Sequence, residues 1–396
     1  MQLAQRLQQL PAYVFAELAA RVETLRREGQ DVIRLDIGSP DLPPSPEVIA
    51  ALEAAARRPT THGYADYYGL PAYRQAIAEF YARRFGVELD PRTETLALIG
   101  SKEGLYHVPT AFIDPGAVAL TPDPGYPTYS AATRLVGGEV YPLPLQREHG
   151  FLPDLDAIPA AVLARARVLW LNYPHNPTAA VADLAFLERA VAFARRQQLL
   201  LVYDHAYSEI AWDGVTPPSV LQIPGAKEVA VEFNSLSKTF NMAGWRIGMA
   251  VGNAAAIAAL ARVKTNADTG IFLPIQEAAV TALHLPTTWY DGLKATYRRR
   301  REIVTRALER MNIWFTPSAA TFYVWLEVPA PFASSAAFAS ALLEATGVSL
   351  TPGAAFGAHG EGFARITLVQ EEARLTEAME RWERWLIGQS LHTEIA

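Results

Sequence analysis

The 396-residue chain contains no cysteine. That excludes disulfides, thiol catalysis, thiolate zinc sites and iron–sulfur clusters together, and it is compatible with a reducing cytoplasm. A basic excess is also missing: 35 Lys plus Arg stand against 41 Asp plus Glu, a net charge of −6. Binding to nucleic acid by general electrostatics is therefore not expected. Charged residues make up only 19% of the chain and hydrophobic ones 50%, which argues against extended disorder. No apolar run reaches the ~18 residues of a membrane span. Residues 1–28 show no apolar block followed by a small-residue cleavage site. The eight histidines show no metal-ligand spacing, so no metal is expected. These absences leave a soluble, cytoplasmic protein with neither membrane nor nucleic acid as partner.

What is there is an alternation of short apolar runs and helical patterns. Val118–Thr121, Val168–Asn172, Leu199–Tyr203, Val229–Phe233 and Ile247–Gly252 read as strands, and Leu96–Ile99 is a further apolar run. Between two of them, Ala182–Gln197 places Leu184, Leu187, Val191 and Ala194 on one helical face. Such alternation predicts a mostly parallel α/β sheet with helices on both faces. The last third differs. It predicts helices over Trp289–Met311, Ser334–Thr346 and from Glu371, and strands over Thr321–Glu327, Val348–Thr351 and Ala364–Leu368. At the N-terminus, Leu18, Val22 and Leu25 recur at helical spacing. The length suits two or three domains.

Ligands of open α/β sheets sit beyond the carboxyl ends of the strands. Polar residues cluster just there. Asn172 to Thr178 (NYPHNPT) follows one strand, Asp204 to Tyr207 the next, and Asn234 to Lys238 (NSLSK) a third, with Arg246 beyond. Gly100 to Gly104 (GSKEG) and Pro122 to Pro127 (PDPGYP) follow two more. Each loop alone is ordinary: a lysine is usually a solvated surface group, and Asp204 could simply cap a helix. Five convergent loops bearing Asn, Asp, Tyr, Ser, Lys and Arg point to a site.

The set resembles the class I/II aminotransferases among the fold-type-I pyridoxal-phosphate (PLP) enzymes. The resemblance is carried by Ser235, Ser237, Lys238 and Arg246 with Asn176, Asp204 and Tyr207 upstream in order, and it runs from Tyr13 to the last helix. Within the class the chain is most similar to the LL-diaminopimelate aminotransferase group, through GSKEG, PDPGYP, SLSKTFNMAGWRIG, ATFYVW and TPGAAFG. The resemblance implies a large PLP-binding domain over residues 46–285, built on a mostly parallel seven-stranded sheet. It also implies a smaller α/β domain from both termini, residues 1–45 and 286–396. It implies a homodimer with shared active sites.

It further implies PLP as cofactor, with an L-amino acid and a 2-oxo acid exchanging an amino group in ping-pong fashion. Lys238 is then the amine that holds the aldehyde and shuttles the proton. Asp204 keeps the pyridine nitrogen protonated. Tyr207 and Asn176 reach the phenolic oxygen, and Tyr126 stacks on the ring. Ser101, Lys102, Ser235, Ser237 and Arg246 form the phosphate cup. Tyr64, in Tyr-x-x-x-x-Gly form, reaches that phosphate from the other subunit. Arg365 binds the substrate α-carboxylate, with Asn172, the Ile37–Gly38 backbone and Tyr13 assisting.

Some signals are set aside. Ser235-x-x-Lys238 matches a serine acyl-enzyme pattern without its partner motifs. Gly100-Ser101-Lys102 lacks the earlier glycine of a Walker loop. Arg298–Arg301 reads as a solvated helix face. A PLP-sensing transcription regulator would need an added DNA-binding domain, which the early start of the resemblance leaves no room for. Aspartate-, alanine- and aromatic-type transamination, or a PLP β-lyase of the same fold, are the alternatives. The chain departs from the family pattern at Ala179, where glycine is frequent, and at His175 and Asn234, which replace common Asn and His. Tyr67, beside Asp66, stands where plant-type diaminopimelate enzymes carry glutamate.

Overall fold

The computed structural model describes residues 2–8, 10 and 14–393. Tyr13 lies outside the described residues. Strand β1 is Ile33–Arg34. Then come β2 (Thr95–Leu98), β3 (Val118–Asp123), β4 (Glu139–Pro144), β5 (Ala166–Asn172), β6 (Leu200–Asp204), β7 (Ala230–Ser235) and β8 (Gly248–Gly252). The last are β9 (Tyr323–Glu327), β10 (Val348–Ser349), β11 (Thr351–Pro352) and β12 (Phe363–Thr367).

β2 to β8 form one seven-stranded sheet in the order β2-β8-β7-β6-β5-β3-β4. Only β8 runs against its neighbours; the other pairs are parallel. The two faces are read off β5. Val168 and Trp170 pack into one core with Val202, Val231, Phe233 and Leu260. Leu169 and Leu171 pack into the other with Leu201, Phe186 and Val191. Because the side-chain period of a strand is two, a strand covered on both faces is apolar at nearly every position. Each such side chain contributes about 1.5–3 kcal/mol.

The covering helices start and stop where their sequence says. In Leu184–Gln197, the Asp183 side chain accepts the Phe186 N–H at 2.7 Å, and the apolar stripe Phe186, Leu187, Ala190, Val191, Ala194 is buried. Pro71 opens the helix Pro71–Phe85, and Gly86, at φ +66°, closes it.

The C-terminal third forms the antiparallel sheet β11-β12-β9. Its core holds Phe322, Val324, Phe338, Leu342 and Trp382. β1 pairs with β10, and Val22 and Leu25 of the helix Val14–Arg27 pack on Val32 and Leu343, so the N-terminal segment folds onto the C-terminal third. The Arg298–Arg301 run is not wholly a solvated face: Arg300 is buried and donates to Asp41 at 2.7 Å. Two strand expectations also change. Residues 348–351, expected as one strand, are two: β10 serves β1, and β11 serves β12. β4, not anticipated, is an edge strand that leaves Glu139, Pro142 and Pro144 exposed, and prolines belong at edges.

Candidate active site

The five parallel strands β2, β3, β5, β6 and β7 end on the same edge of the sheet. β8 is reversed, so Arg246, which precedes it, arrives at that edge as well. The loops close around a cavity of about 480 Å³. Among its lining residues are Ile37, Gly38, Ser101, Lys102, Tyr126, Asn172, Asn176, Asp204, Tyr207, Ser235, Ser237, Lys238, Arg246 and Arg365. Sequence-predicted residues spread over more than 300 positions thus meet at one place. Tyr64 does not join them; its ring is 90% exposed on the surface.

Lys238 lies in the one-turn helix Leu236–Thr239, whose N-cap Ser235 accepts the Ser237 N–H at 3.2 Å. Buried Leu236 and Phe240 anchor the turn in the core. Lys238 Nζ donates to the Gly38 carbonyl at 2.6 Å. Burial, then the Arg365 and Arg246 charges, pull its pKa down to about 8. Gly38 is required to be small, because a Cβ there would overlap the Tyr323 hydroxyl.

Asp204 ends β6 and is 5% exposed. Its Oδ2 accepts from Tyr129 Oη at 2.7 Å. Its Oδ1 has no partner among the described residues. Burial pushes this carboxyl up to about 6, against the opposing pull of the Tyr129 hydrogen bond. Tyr129 is held by stacking on Trp170 at 4.9 Å. Asn172 uses its amide to fix the neighbouring strand ends: Nδ2 donates to the Asp204 carbonyl at 2.7 Å and Oδ1 accepts the Asn176 N–H at 3.0 Å.

Arg365, on β12, is 3% exposed. Its guanidinium lies 4.3 Å from the Tyr323 ring centroid and 4.8 Å from that of Phe356. Nη1 donates to Asn176 Oδ1 at 2.8 Å and Nη2 to the Asp36 carbonyl at 2.8 Å. Tyr207 Oη and Tyr323 Oη are 2.7 Å apart.

On the cup side, Gly100 (φ +72°) precedes the helix Ser101–Phe112, and a Cβ there would overlap the Arg246 guanidinium. Arg246 itself adopts φ +54°, a left-handed setting that costs a non-glycine residue about 1 kcal/mol. Lys102 Nζ lies 5.9 Å from the Tyr126 ring centroid. The departures have local reasons. Ala179 has φ +60°, which explains why glycine suits that position. Burial holds His175 down at about 3, so it stays neutral. Asn234 accepts the Ser235 N–H at 2.8 Å and donates to Ser208 Oγ at 3.1 Å.

Cavity residues not anticipated include Tyr129, Tyr323, Arg34 and Asp36. Tyr129 had a signal, since it follows Tyr126 by one helical turn. Arg34 lines the cavity and pairs with buried Asp36 at 2.7 Å.

The residues present fit PLP. A buried carboxylate with one unsatisfied oxygen suits a protonated ring nitrogen. A helix N-terminus with Ser101, Ser235, Ser237 and Arg246 suits a phosphate. The Lys238 amine, in the same cavity, suits an aldehyde.

The family model for aminotransferase class I and II matches residues 30–381. A curated LL-diaminopimelate aminotransferase of Desulforudis audaxviator is 50% identical over 378 residues, 96% of each chain. Among solved structures, apo-BacF from Bacillus subtilis superposes with TM-score 0.94 at 38% identity, covering 97% of this chain and 98% of that one. A Thermus thermophilus aspartate aminotransferase mutant gives TM-score 0.91 at 30% identity, covering 97% and 99%.

Proposed function

The chain belongs to the class I and II aminotransferases, and from that premise we propose that LL-diaminopimelate is its amino donor and a 2-oxo acid such as 2-oxoglutarate its acceptor. It is a PLP-dependent transaminase of fold type I that acts on amino and oxo acids. The donor rests on relatives: curated sequences named LL-diaminopimelate aminotransferase match at 45–50% identity over nearly the whole chain. A role in lysine biosynthesis follows from the same names. Among the described residues no helix is long and apolar enough to cross a membrane, and we place the enzyme in the cytoplasm.

When bound, PLP supplies an aldehyde that takes up the amino group and a ring that accepts the electrons released at the substrate Cα. The chain's own residues do the rest. Lys238 Nζ would hold the aldehyde when no donor is bound. Once the donor amine took its place, the freed amine would take the proton from the substrate Cα and deliver it to the cofactor side, acting as base and then acid. Asp204 Oδ1 holds a proton on the ring nitrogen, and Tyr129 orients the carboxylate. Tyr207 and Asn176 bind the phenolic oxygen, and Tyr126 covers the ring. Ser101, Lys102, Ser235, Ser237 and Arg246 hold the phosphate. Arg365 clasps the α-carboxylate of the substrate, and the Ile37–Gly38 edge closes over it. Only the backbone N–H groups of that edge suit an anion, since the Gly38 carbonyl faces the lysine. Residues 46–285 form the PLP-binding domain, and residues 1–45 with 286–396 the smaller one.

The observation that carries this reading is the pair Lys238 and Asp204: opposite charges lining one cavity, with Asp204 Oδ1 buried and unpartnered. A panel of donors tests it, read as loss of the visible absorbance of bound PLP. LL-diaminopimelate should give the highest kcat/KM. A higher value for aspartate, alanine or an aromatic donor would replace the substrate and leave the enzyme class standing.

Assembly is part of the proposal. The exposed Tyr64 ring suits a homodimer in which each subunit completes its partner's phosphate cup. Tyr64→Ala and Lys238→Ala subunits, each impaired alone, should regain activity on mixing, because one site of the heterodimer escapes both defects. Mixing without any gain would return Tyr64 to its own chain.

A further inference from the structure

Behind the phosphate turn lies a group of charged side chains that the cavity does not use. Glu103, the third residue of the helix Ser101–Phe112, turns back so that its Oε2 accepts the Ile99 N–H. Its Oε1 accepts from Lys264 Nζ at 2.8 Å and lies 2.9 Å from His107 Nε2. Lys264, on the helix Ala254–Ala267, keeps only 1% of its side chain exposed. The same ammonium donates to both oxygens of Asp268, at 2.8 and 2.9 Å. Asp268 Oδ1 in turn accepts the Gly270 N–H at 2.9 Å.

Each end of this chain of bonds meets a cofactor-binding segment. At one end, Glu103 pins Ile99, next to Gly100 and Ser101. The fit there is tight, since a Cβ on Gly248 would lie 2.8 Å from the Ser101 nitrogen. At the other end, Gly270 adopts φ +91°, and a Cβ on it would lie 2.9 Å from the Asp66 carbonyl and 3.3 Å from that of Ala65. Those residues directly follow Tyr64. Glu103, His107 and Asp268 also bring their ligand atoms within 4.8 Å of one another, as for a metal. Lys264 bonds both carboxylates, however, and so supplies the cation itself. A buried ammonium shared by two carboxylates is rigid, because moving any member leaves a charge unpaired at low dielectric.

We propose that Lys264 is a positioning residue for the transamination: through Glu103 it sets the Ile99–Ser101 turn that receives the cofactor phosphate, and through Asp268 it sets the segment on which the Tyr64 loop rests. This rests on the reading of Ser101, Arg246 and Tyr64 as phosphate ligands. Lys264 touches neither substrate nor cofactor. It aligns the cup of its own subunit with the loop offered to the partner.

Lys264→Met would strand two half-buried carboxylates and can fail to fold, so the test removes one charge at a time. Glu103→Gln and Asp268→Asn keep the shape and a hydrogen-bonding oxygen. The readouts are the ³¹P chemical shift of PLP in the holoenzyme, the dissociation constants of PLP and of phosphate-free pyridoxal, and Tm. Both variants should move the ³¹P resonance and loosen PLP about tenfold, with pyridoxal binding unchanged. In a Tyr64→Phe background, Asp268→Asn should loosen PLP no further. Lower Tm with an unmoved ³¹P shift and unchanged PLP affinity would make the cluster a fold stabiliser only and overturn the proposal. Full additivity with Tyr64→Phe would overturn its second limb. Ser101→Ala is the control: if it too leaves the ³¹P shift unmoved, the cup reading falls and the proposal with it.

Discussion

Asp204 and Glu232 are buried carboxylates on neighbouring strands, and they are treated in opposite ways. Glu232, in mid-strand, is saturated. Oε1 accepts from Tyr81 Oη at 2.8 Å and lies 2.9 Å from His205 Nδ1; Oε2 accepts from Ser219 Oγ at 2.6 Å and the Val220 N–H at 3.0 Å. Asp204, at the strand end, has Tyr129 on one oxygen and nothing among the described residues on the other. The lysines repeat the contrast. Lys264 binds two carboxylates, whereas Lys238 donates to one carbonyl. Buried polar groups are normally satisfied. Where the fold leaves a charge short of partners beside a cavity, the missing partner is a ligand. Among the buried carboxylates of the described residues, that difference separates the site from the scaffold.

The contrast breaks most visibly at Lys238. Lys238→Ala should abolish the borohydride-reducible lysine adduct and lower turnover by at least about 10³-fold. Turnover at the parent rate would remove Lys238 from the chemistry.

The two carboxylates should then respond with opposite signs. Asp204→Asn should lower turnover by about 10²-fold or more, because a neutral amide cannot hold the ring nitrogen protonated. The same change should stabilise the PLP-free protein by about 1–3 kcal/mol, since it relieves an unsatisfied buried charge. Glu232→Gln should do the reverse: about 3 kcal/mol less stable, with kcat per folded enzyme retained. Urea titration beside steady-state kinetics decides the matter. Equal stability losses in both variants would end the comparison.

Arg365→Lys should raise KM for the donor by about 10–100-fold and leave PLP affinity within about twofold. Coincident donor saturation curves would take Arg365 out of the substrate site.

The smallest effect is on pH. Lys238 is depressed to about 8, chiefly by burial, and only its neutral form captures an aldehyde. Below that pH the neutral fraction grows about tenfold per unit; above it the fraction saturates. PLP capture by the cofactor-free protein, followed by stopped flow, should rise with pH and flatten above about 8. A continued rise toward the ordinary lysine value of about 10.4 would show an unperturbed amine.

How far the sequence reveals this architecture depends on the distance over which each feature is encoded. The main strands and the helix Leu184–Gln197 are local patterns of apolar residues and caps, and they emerge within a residue or two. β4 escapes because its prolines and exposed positions break the apolar run. β10 and β11 escape as separate strands because two-residue strands have no period to detect; only their partners, β1 and β12, distinguish them. The cup and the Lys238 loop are legible as dense local motifs. Tyr129 and Tyr323 are single aromatics whose roles arise only once β6 and β9 are folded. Glu103 and Lys264 are 161 positions apart, and nothing local ties them together.

The undersatisfied lysine, not the saturated one, is the reactive group. Borohydride reduction of the holoenzyme, followed by proteolysis and mass spectrometry, tests it directly. The phosphopyridoxyl label should fall on Lys238 alone. A label on Lys264 or Lys102 with Lys238 unmodified would contradict the account.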